Sequence, residues 1–223
     1  MKAYIKQIAY YLPEISISNE KLIEEFPEWT VGKIASKVGV NNRHVAGEQE
    51  TASDMAVAAA NNLFTVDSDI RREDIDFVLF CTQSPDYFLP TSACLIQDRL
   101  GLRTNIGAID FNLGCSGYVY GLAIAKGLIT GRIAKNVLLL TAETYSKYLH
   151  PRDKGNRTIF GDASSASVIS TDGFVEIGEF SLGTDGKGAD NLIVRTGASR
   201  KKEAENDLSF YENGNPVSSD YLY

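Results

Sequence analysis

The sequence predicts an α/β fold with a mixed, mostly parallel sheet and helices on both of its faces. Three observations predict it. Short apolar runs rich in β-formers, at residues 75–81, 106–111 and 136–142, alternate with helical stretches, as in a chain that returns from strand to strand through helices. Those runs are continuous, not alternating, so they read as strands covered on both faces. Between the second and third lies DFNLGCSGYVYGLAIAKGLI, residues 110–129, in which an apolar strand turns at Gly114 into a helix that is apolar nearly all round. Only Lys126 interrupts it, and a helix of that kind belongs inside a fold.

Each element has its own signal. Residues 3–12 read as a first strand stopped by Pro13. Ser18 opens a short helix reaching about Phe26. Pro27-Glu28-Trp29 begins another helical piece, interrupted by Gly32 and ending near Gly39. Asn41-Asn42-Arg43-His44 reads as a polar turn. Thr51 followed by Asp54 is a capping-box-like start for an Ala-rich helix. Residues 82–90, with Pro85 and Pro90, form a loop, and 91–100 a helix closed by Gly101. The helix after Cys115 ends at Gly131. Residues 150–157 read as a charged loop and 158–169 as a strand with a turn at Gly161-Asp162. Asp172-Gly173 signals a hairpin leading to a strand at 174–182. From Thr184 the chain is rich in Gly, Asp, Asn, Lys and Ser, and Arg200-Lys201-Lys202 is a solvated face. The expected organisation is one α/β domain over 1–183, followed by a connecting segment over 184–223. No internal repeat is visible.

Composition excludes several functions. Of the 223 residues 43% are hydrophobic and 23% charged, ordinary for a globular protein. The net charge of -7 provides no basic footprint, so nucleic-acid binding is not expected. Cys81, Cys94 and Cys115 are odd in number, widely spaced and free of any C-x-x-C pair. That argues against a disulfide framework or a zinc site, and it fits a reducing compartment. No apolar run approaches the length of a membrane span and no leader pattern is seen, so a cytoplasmic protein is expected.

Cys115 carries the chemical interest. It stands where a strand hands over to a helix, and the first amides of a helix lack intrahelical partners and favour negative charge. The effect is about 0.3–1 kcal/mol when exposed, so a partner base normally completes such a nucleophile. From this stretch alone a nucleophile and an inert packed thiol remain equally open. The histidines, His44 and His150, are the candidate bases, and nothing in the sequence brings either to Cys115. Ser116 is a weaker nucleophile candidate, because Tyr118 breaks the G-x-S-x-G elbow. Residues 183–188, GTDGKG, lack the spacing of a phosphate loop. Asp74 and Asp76 read as a solvated pair at a strand entrance. Gly117, Gly121 and Ala125, four apart, make one smooth stripe on the helix, and glycine inside a helix costs roughly 1 kcal/mol against alanine. The stripe therefore predicts close approach of another backbone.

The Cys115 stretch, together with CTQSPDYFLPTSACLIQDRLG and NVLLLTAETYSK…IFGDASSASV, resembles the β-ketoacyl-ACP synthase III family of thiolase-fold enzymes. The match runs in order across nearly the whole chain. The resemblance implies that Cys115 attacks an acyl-CoA, holds the acyl group as a thioester and condenses it with malonyl-ACP with loss of carbon dioxide. It implies that Trp29 stacks on the CoA adenine, and that Lys37 and Lys154 stand where the family has arginines against CoA. Both lysines keep charge but lose the planar fork. It places Leu89, with Phe88 beside it, in the loop that reaches across a homodimer to line the acyl pocket. Acyl-CoA is then a substrate, an acyl carrier protein the partner, and no cofactor or metal is expected. Asn112-Leu113-Gly114 and Ala163-Ser164-Ser165 depart from the family's usual residues, which leaves the acyl primer open. The resemblance further implies two α/β halves, with the decarboxylating His and Asn in the second. No counterparts of these are found, so the chain is expected to be the N-terminal half, unable to complete condensation, with the glycine stripe lacking its partner helix. Rivals within the fold are a hydroxymethylglutaryl-CoA synthase, a type III polyketide synthase and a thiolase. A rival outside catalysis is a dimerising scaffold.

Overall fold

Which face of a strand each apolar side chain takes decides which helix it meets. The computed structural model describes residues 1–66 and 70–222, Val66 by its backbone alone. In chain order the elements are β1 (Tyr4–Tyr11), β2 (Ile15–Ser18), α1 (Asn19–Glu25), α2 (Val31–Val38), β3 (Asn42–Val45), α3 (Ala52–Val66), β4 (Phe77–Cys81) and α4 (Ser92–Arg99). There follow β5 (Gly107–Phe111), α5 (Gly117–Thr130), β6 (Val137–Glu143), α6 (Lys154–Ile159), β7 (Ala163–Ser170), β8 (Val175–Glu176), β9 (Ser209–Phe210) and β10 (Pro216–Val217). The chain forms two compact units, each assembled from separated stretches. One comprises Met1–Pro13, Ala46–Glu143 and Ala163–Leu182; the other comprises Glu14–Val45, Thr144–Asp162 and Gly183–Tyr223. Tyr223, the last residue of the expected connecting segment, lies outside the described residues.

The first unit is built on a six-stranded sheet in the order β5-β4-β6-β7-β1-β8. β5, β4 and β6 run parallel, while β7 is antiparallel to β6 and β1 is antiparallel to β7 and β8. Successive side chains of a strand point to opposite faces. Val78, Phe80, Leu138, Leu140, Ala166 and Val168 therefore join one core with the alanines of α3 and with Ala93 and Ile96 of α4. Leu79, Val137, Leu139 and Ile169 join the other, with Ala125 and Ile129 of α5. This is the mixed α/β architecture with helices on both sheet faces that the sequence predicts, and β4 and β6 are its doubly covered strands. α3 opens with the expected reciprocal cap: Thr51 N donates to Asp54 Oδ2 at 2.8 Å, and Asp54 N donates to Thr51 Oγ1 at 3.3 Å.

β5 departs from expectation. It is an edge strand, and Ile109 is 42% exposed. An apolar run records hydrophobicity, not the number of neighbouring strands. The hairpin at Asp172-Gly173 also differs. The chain does turn there, but β8 pairs with β1, not with β7, and spans two residues in place of the expected nine. β1 already occupies the edge of β7, so the returning chain crosses it; Phe174 N donates to Ile5 O at 3.0 Å. A Cβ at Gly173 would press into the Ile5 backbone, which explains the glycine.

The second unit corrects five local readings. Residues 41–44 are not a turn: β3 pairs antiparallel with β2 from Ile15↔Val45 to Ser18↔Asn42. The polar look of this strand comes from Arg43, whose buried guanidinium is consumed by the carbonyls of Val40 and Thr158 and by Asn19 Oδ1. α2 starts later than Pro27, capped by Thr30, whose Oγ1 accepts from Lys33 N at 3.1 Å. Gly32 lies inside it, and Gly39 closes it with φ +75°. The charged stretch after His150 contains α6, capped by Asp153, whose Oδ1 accepts from Asn156 N at 2.9 Å. That helix takes Thr158 and Ile159 out of the predicted strand, and β7 begins only at Ala163. Among the described residues no helix is long and apolar enough to cross a membrane.

Candidate active site

The parallel pairing of β4 and β5 ends at Cys81↔Phe111, but the two chains stay zipped beyond it. Thr82 N donates to Phe111 O at 3.2 Å, and Gln83 Nε2 donates to Asn112 Oδ1 at 3.1 Å. Cys81 Sγ donates to Leu113 O at 3.1 Å. The chain then turns, with Gly117 N donating to Gly114 O at 2.8 Å, and α5 begins. Cys115 is exposed at the crest of that turn, two residues ahead of the helix, with Ser116 exposed beside it. Burial pushes the Cys81 thiol up to about 11, with the charge of Glu143 adding to the effect. It therefore keeps its proton at neutral pH and serves as a donor. Cys94 sits in α4 with its Sγ against Thr91 O. The three cysteines thus divide by environment, and Cys115 alone of them is exposed.

The stripe on α5 is occupied, and not by another helix. Gly117, Gly121, Ala125 and Ile129 are its buried residues. A Cβ at Gly117 would collide with Cys81 Sγ, and one at Gly121 would stand 2.5 Å from Leu139 Cδ1 and 3.2 Å from Phe111. The small residues let α5 settle onto its own sheet, against the side chains of Cys81, Leu139 and Phe111 and not against the second backbone that the stripe led one to expect. The helix is buried on that one face, while Val119 on another is 44% exposed.

Asp110, one strand-residue from the end of β5, ties the Cys115 stretch to the loop before α4. Its carboxylate accepts from Ser92 N at 2.6 Å and from Ala93 N at 2.7 Å, capping α4 from a neighbouring strand. Asp86 in the same loop accepts from Ser53 Oγ at 2.5 Å. Glu143, at the end of β6, accepts from Gln83 N at 2.8 Å and Ser84 Oγ at 3.0 Å. The ends of the loop are therefore fixed, while at its tip Phe88 and Leu89 are 84% and 82% exposed. Sequence reasoning singled out none of Cys81, Gln83 and Asp110. Asp110 carried a usable signal, since an acid inside an apolar run needs donors to offset its desolvation.

The remaining candidates belong to the second unit. Trp29 packs on Leu22, Phe26 and Ile34, with Lys33 Nζ 4.8 Å from the ring centroid. Lys154 Nζ is engaged by Glu28 Oε1 and Asn213 O, both at 2.8 Å. Lys37 is exposed in the last turn of α2. His150 is buried, its Nδ1 accepting from Arg152 N at 3.1 Å and its ring edge-on to Tyr221 at 4.8 Å. His44 lies on β3, where its carbonyl accepts from Asp162 N.

Residues 109–186 match the family model described as 3-oxoacyl-[acyl-carrier-protein (ACP)] synthase III, a stretch that includes Asp110, Cys115 and α5 through β7. A solved structure of a 3-oxoacyl-(acyl-carrier-protein) synthase III superposes with a TM-score of 0.96 at 48% identity, over 100% of this chain and 67% of the other. The chain belongs to the 3-oxoacyl-ACP synthase III family. Within that family, the β-ketoacyl-[acyl-carrier-protein] synthase III of Clostridioides difficile strain 630 is 38% identical over 207 residues, 92% of this chain and 61% of the relative. The enzyme of the same name from Campylobacter jejuni subsp. doylei is 37% identical over 221 residues, 97% of this chain and 66% of the relative. The chain thus spans a little under two thirds of the length of these curated relatives. The synthase III family also accounts for the thiolase-like α/β sheet.

Proposed function

We propose that this chain supplies the acyl-accepting site of a 3-oxoacyl-ACP synthase III-type acyltransferase in fatty acid or related acyl-chain biosynthesis, with Cys115 as acceptor. The observation that carries the reading is the contrast between the cysteines: Cys115 is exposed at the crest of the β5–α5 turn, whereas Cys81 is buried and protonated. Cys115 Sγ gives up its proton and attacks the thioester carbonyl of acyl-CoA. The new S–C bond forms as the bond to the CoA sulfur breaks, and CoA leaves as a thiol with the proton. One thioester replaces another, so the exchange is close to balanced and the enzyme thioester stays reactive toward a carbon nucleophile.

In this reading acyl-CoA is the first substrate and malonyl-ACP, presented by its carrier protein, the second. Trp29, Lys37 and Lys154 face the CoA, Phe88 and Leu89 line the acyl pocket, no cofactor takes part, and the site operates in the cytoplasm. A homodimer is part of the proposal, supported by the exposed apolar tip of Tyr87, Phe88 and Leu89 and by the edge position of β5. Intact mass after incubation with acetyl-CoA and longer acyl-CoAs tests the reading. One acyl increment, absent in Cys115→Ala, is the expected result. An increment that survives the substitution, or none with any acyl-CoA, overturns it.

A further inference from the structure

Cys115 is flanked, two residues away on either side, by chain positions that rest on one sulfur atom. On the N-terminal side Cys81 Sγ donates to Leu113 O at 3.1 Å. On the C-terminal side Gly117, the first residue of α5, lies so close to the same sulfur that a Cβ there would collide with it. The space is filled from the other direction as well, since that Cβ would also stand 3.3 Å from Leu113 Cβ. Gly114 O and Gly117 N close the turn between the two contacts. The turn holds Cys115 up while its base is clamped to the end of β4.

We propose that Cys81 is a positioning residue for Cys115: its thiol sets the height and orientation of the nucleophile turn by bonding Leu113 and seating Gly117. Two properties of the residue matter. Its proton is needed for the bond to Leu113 O, and the buried thiol keeps it. Its size is needed for the seat: a smaller group leaves the first turn of α5 unsupported, and a larger one lifts it. A reacting atom displaced by a fraction of an ångström loses rate steeply, because the attack geometry is what the fold contributes. The role of Cys81 rests on the acyl-acceptor reading for its enzymatic meaning, but its effect on Cys115 is measurable without it.

The test is site-resolved alkylation of Cys115 by iodoacetamide across pH, followed by mass spectrometry, alongside acylation by acetyl-CoA and circular dichroism of each variant. Cys81→Ala is expected to slow Cys115 alkylation and acylation about tenfold at temperatures where the variant remains folded, and to move the midpoint of the alkylation pH profile. Cys81→Ser, which keeps the donor, should stay within about threefold of the parent with its midpoint restored. Gly117→Ala should slow Cys115 on its own, and adding Cys81→Ala to it should recover part of the rate, because removing the sulfur makes room for the new methyl. Variants that lower thermal stability while leaving the rate and pH profile of Cys115 unchanged would reduce Cys81 to core filler and overturn the proposal. Equal losses in Cys81→Ala and Cys81→Ser, or no recovery in the double variant, would overturn it too. If acylation fails in the parent while the alkylation series behaves as expected, the acyltransferase reading falls and the positioning role stands.

Discussion

Residue identity and residue role part company at the two histidines. Both are candidate bases by type, yet His150 is committed to structure: its Nδ1 accepts from Arg152 N and its ring is enclosed by Tyr221. Burial holds its pKa below the ordinary value, and the Arg152 charge adds to this. The unfolded chain, with a histidine near 6.5, therefore takes up the proton first as pH falls. The histidine contributes its full share of stability above about pH 6.5 and loses it progressively below. Urea-unfolding midpoints measured from pH 7.5 to 5 should fall more for the parent than for His150→Phe; parallel curves would refute this. The cysteines show the same separation. Three identical residue types in the sequence become one exposed thiol, one buried donor and one helix residue, and only packing distinguishes them. The place of Cys115 at a strand-to-helix turn was legible because glycine, strand end and apolar helix surround it in sequence. Cys81 was not, because its partners, Leu113 and Gly117, lie over thirty positions away.

At the scale of elements, α5 is the instructive case. Its apolar, glycine-rich sequence announces close packing without saying against what. The structure assigns the stripe to the sheet: Gly121 meets Leu139 and Phe111, while Gly127, on another face of the same helix, meets nothing within 4 Å. The same substitution should therefore act in opposite directions at two positions of one helix. Gly121→Ala forces Leu139 to move and should cost about 1–3 kcal/mol through overpacking. Gly127→Ala meets open space and should gain up to about 1 kcal/mol from helix propensity. Thermal melts of the two variants check this, at roughly 2–4 °C per kcal/mol for a chain of this size. Equal shifts would mean that the stripe is not seated on the sheet. Two caps between neighbours in sequence were legible, Thr51/Asp54 and Ser18, which accepts from Lys21 N, while the equally local caps at Thr30 and Asp153 were missed in a Pro-led and a charged stretch. Asp110 capping α4 from another strand could not be read that way, since the donors, Ser92 and Ala93, lie eighteen and seventeen positions away.

For the molecule as a whole, family membership joins a fold to a proposed reaction at Cys115. Several features were determined by the sequence itself. The alternation of the main strands and helices, the two-sided burial of β4 and β6, the α3 cap and the Cys115 turn all follow from periodicity and from residues adjacent along the chain. Only the tertiary structure decided the rest. It put β5 at an edge, sent β8 to β1 and not to β7, turned residues 42–45 into a strand around a buried Arg43, and set Cys81 beneath Leu113 and Gly117. The physical reason is common to all four. Hydrophobic pattern and local capping act over a few residues and leave their mark in the order of the chain. Strand neighbours, buried polar partners and the fit of a helix on a sheet are settled by which distant groups share the same space.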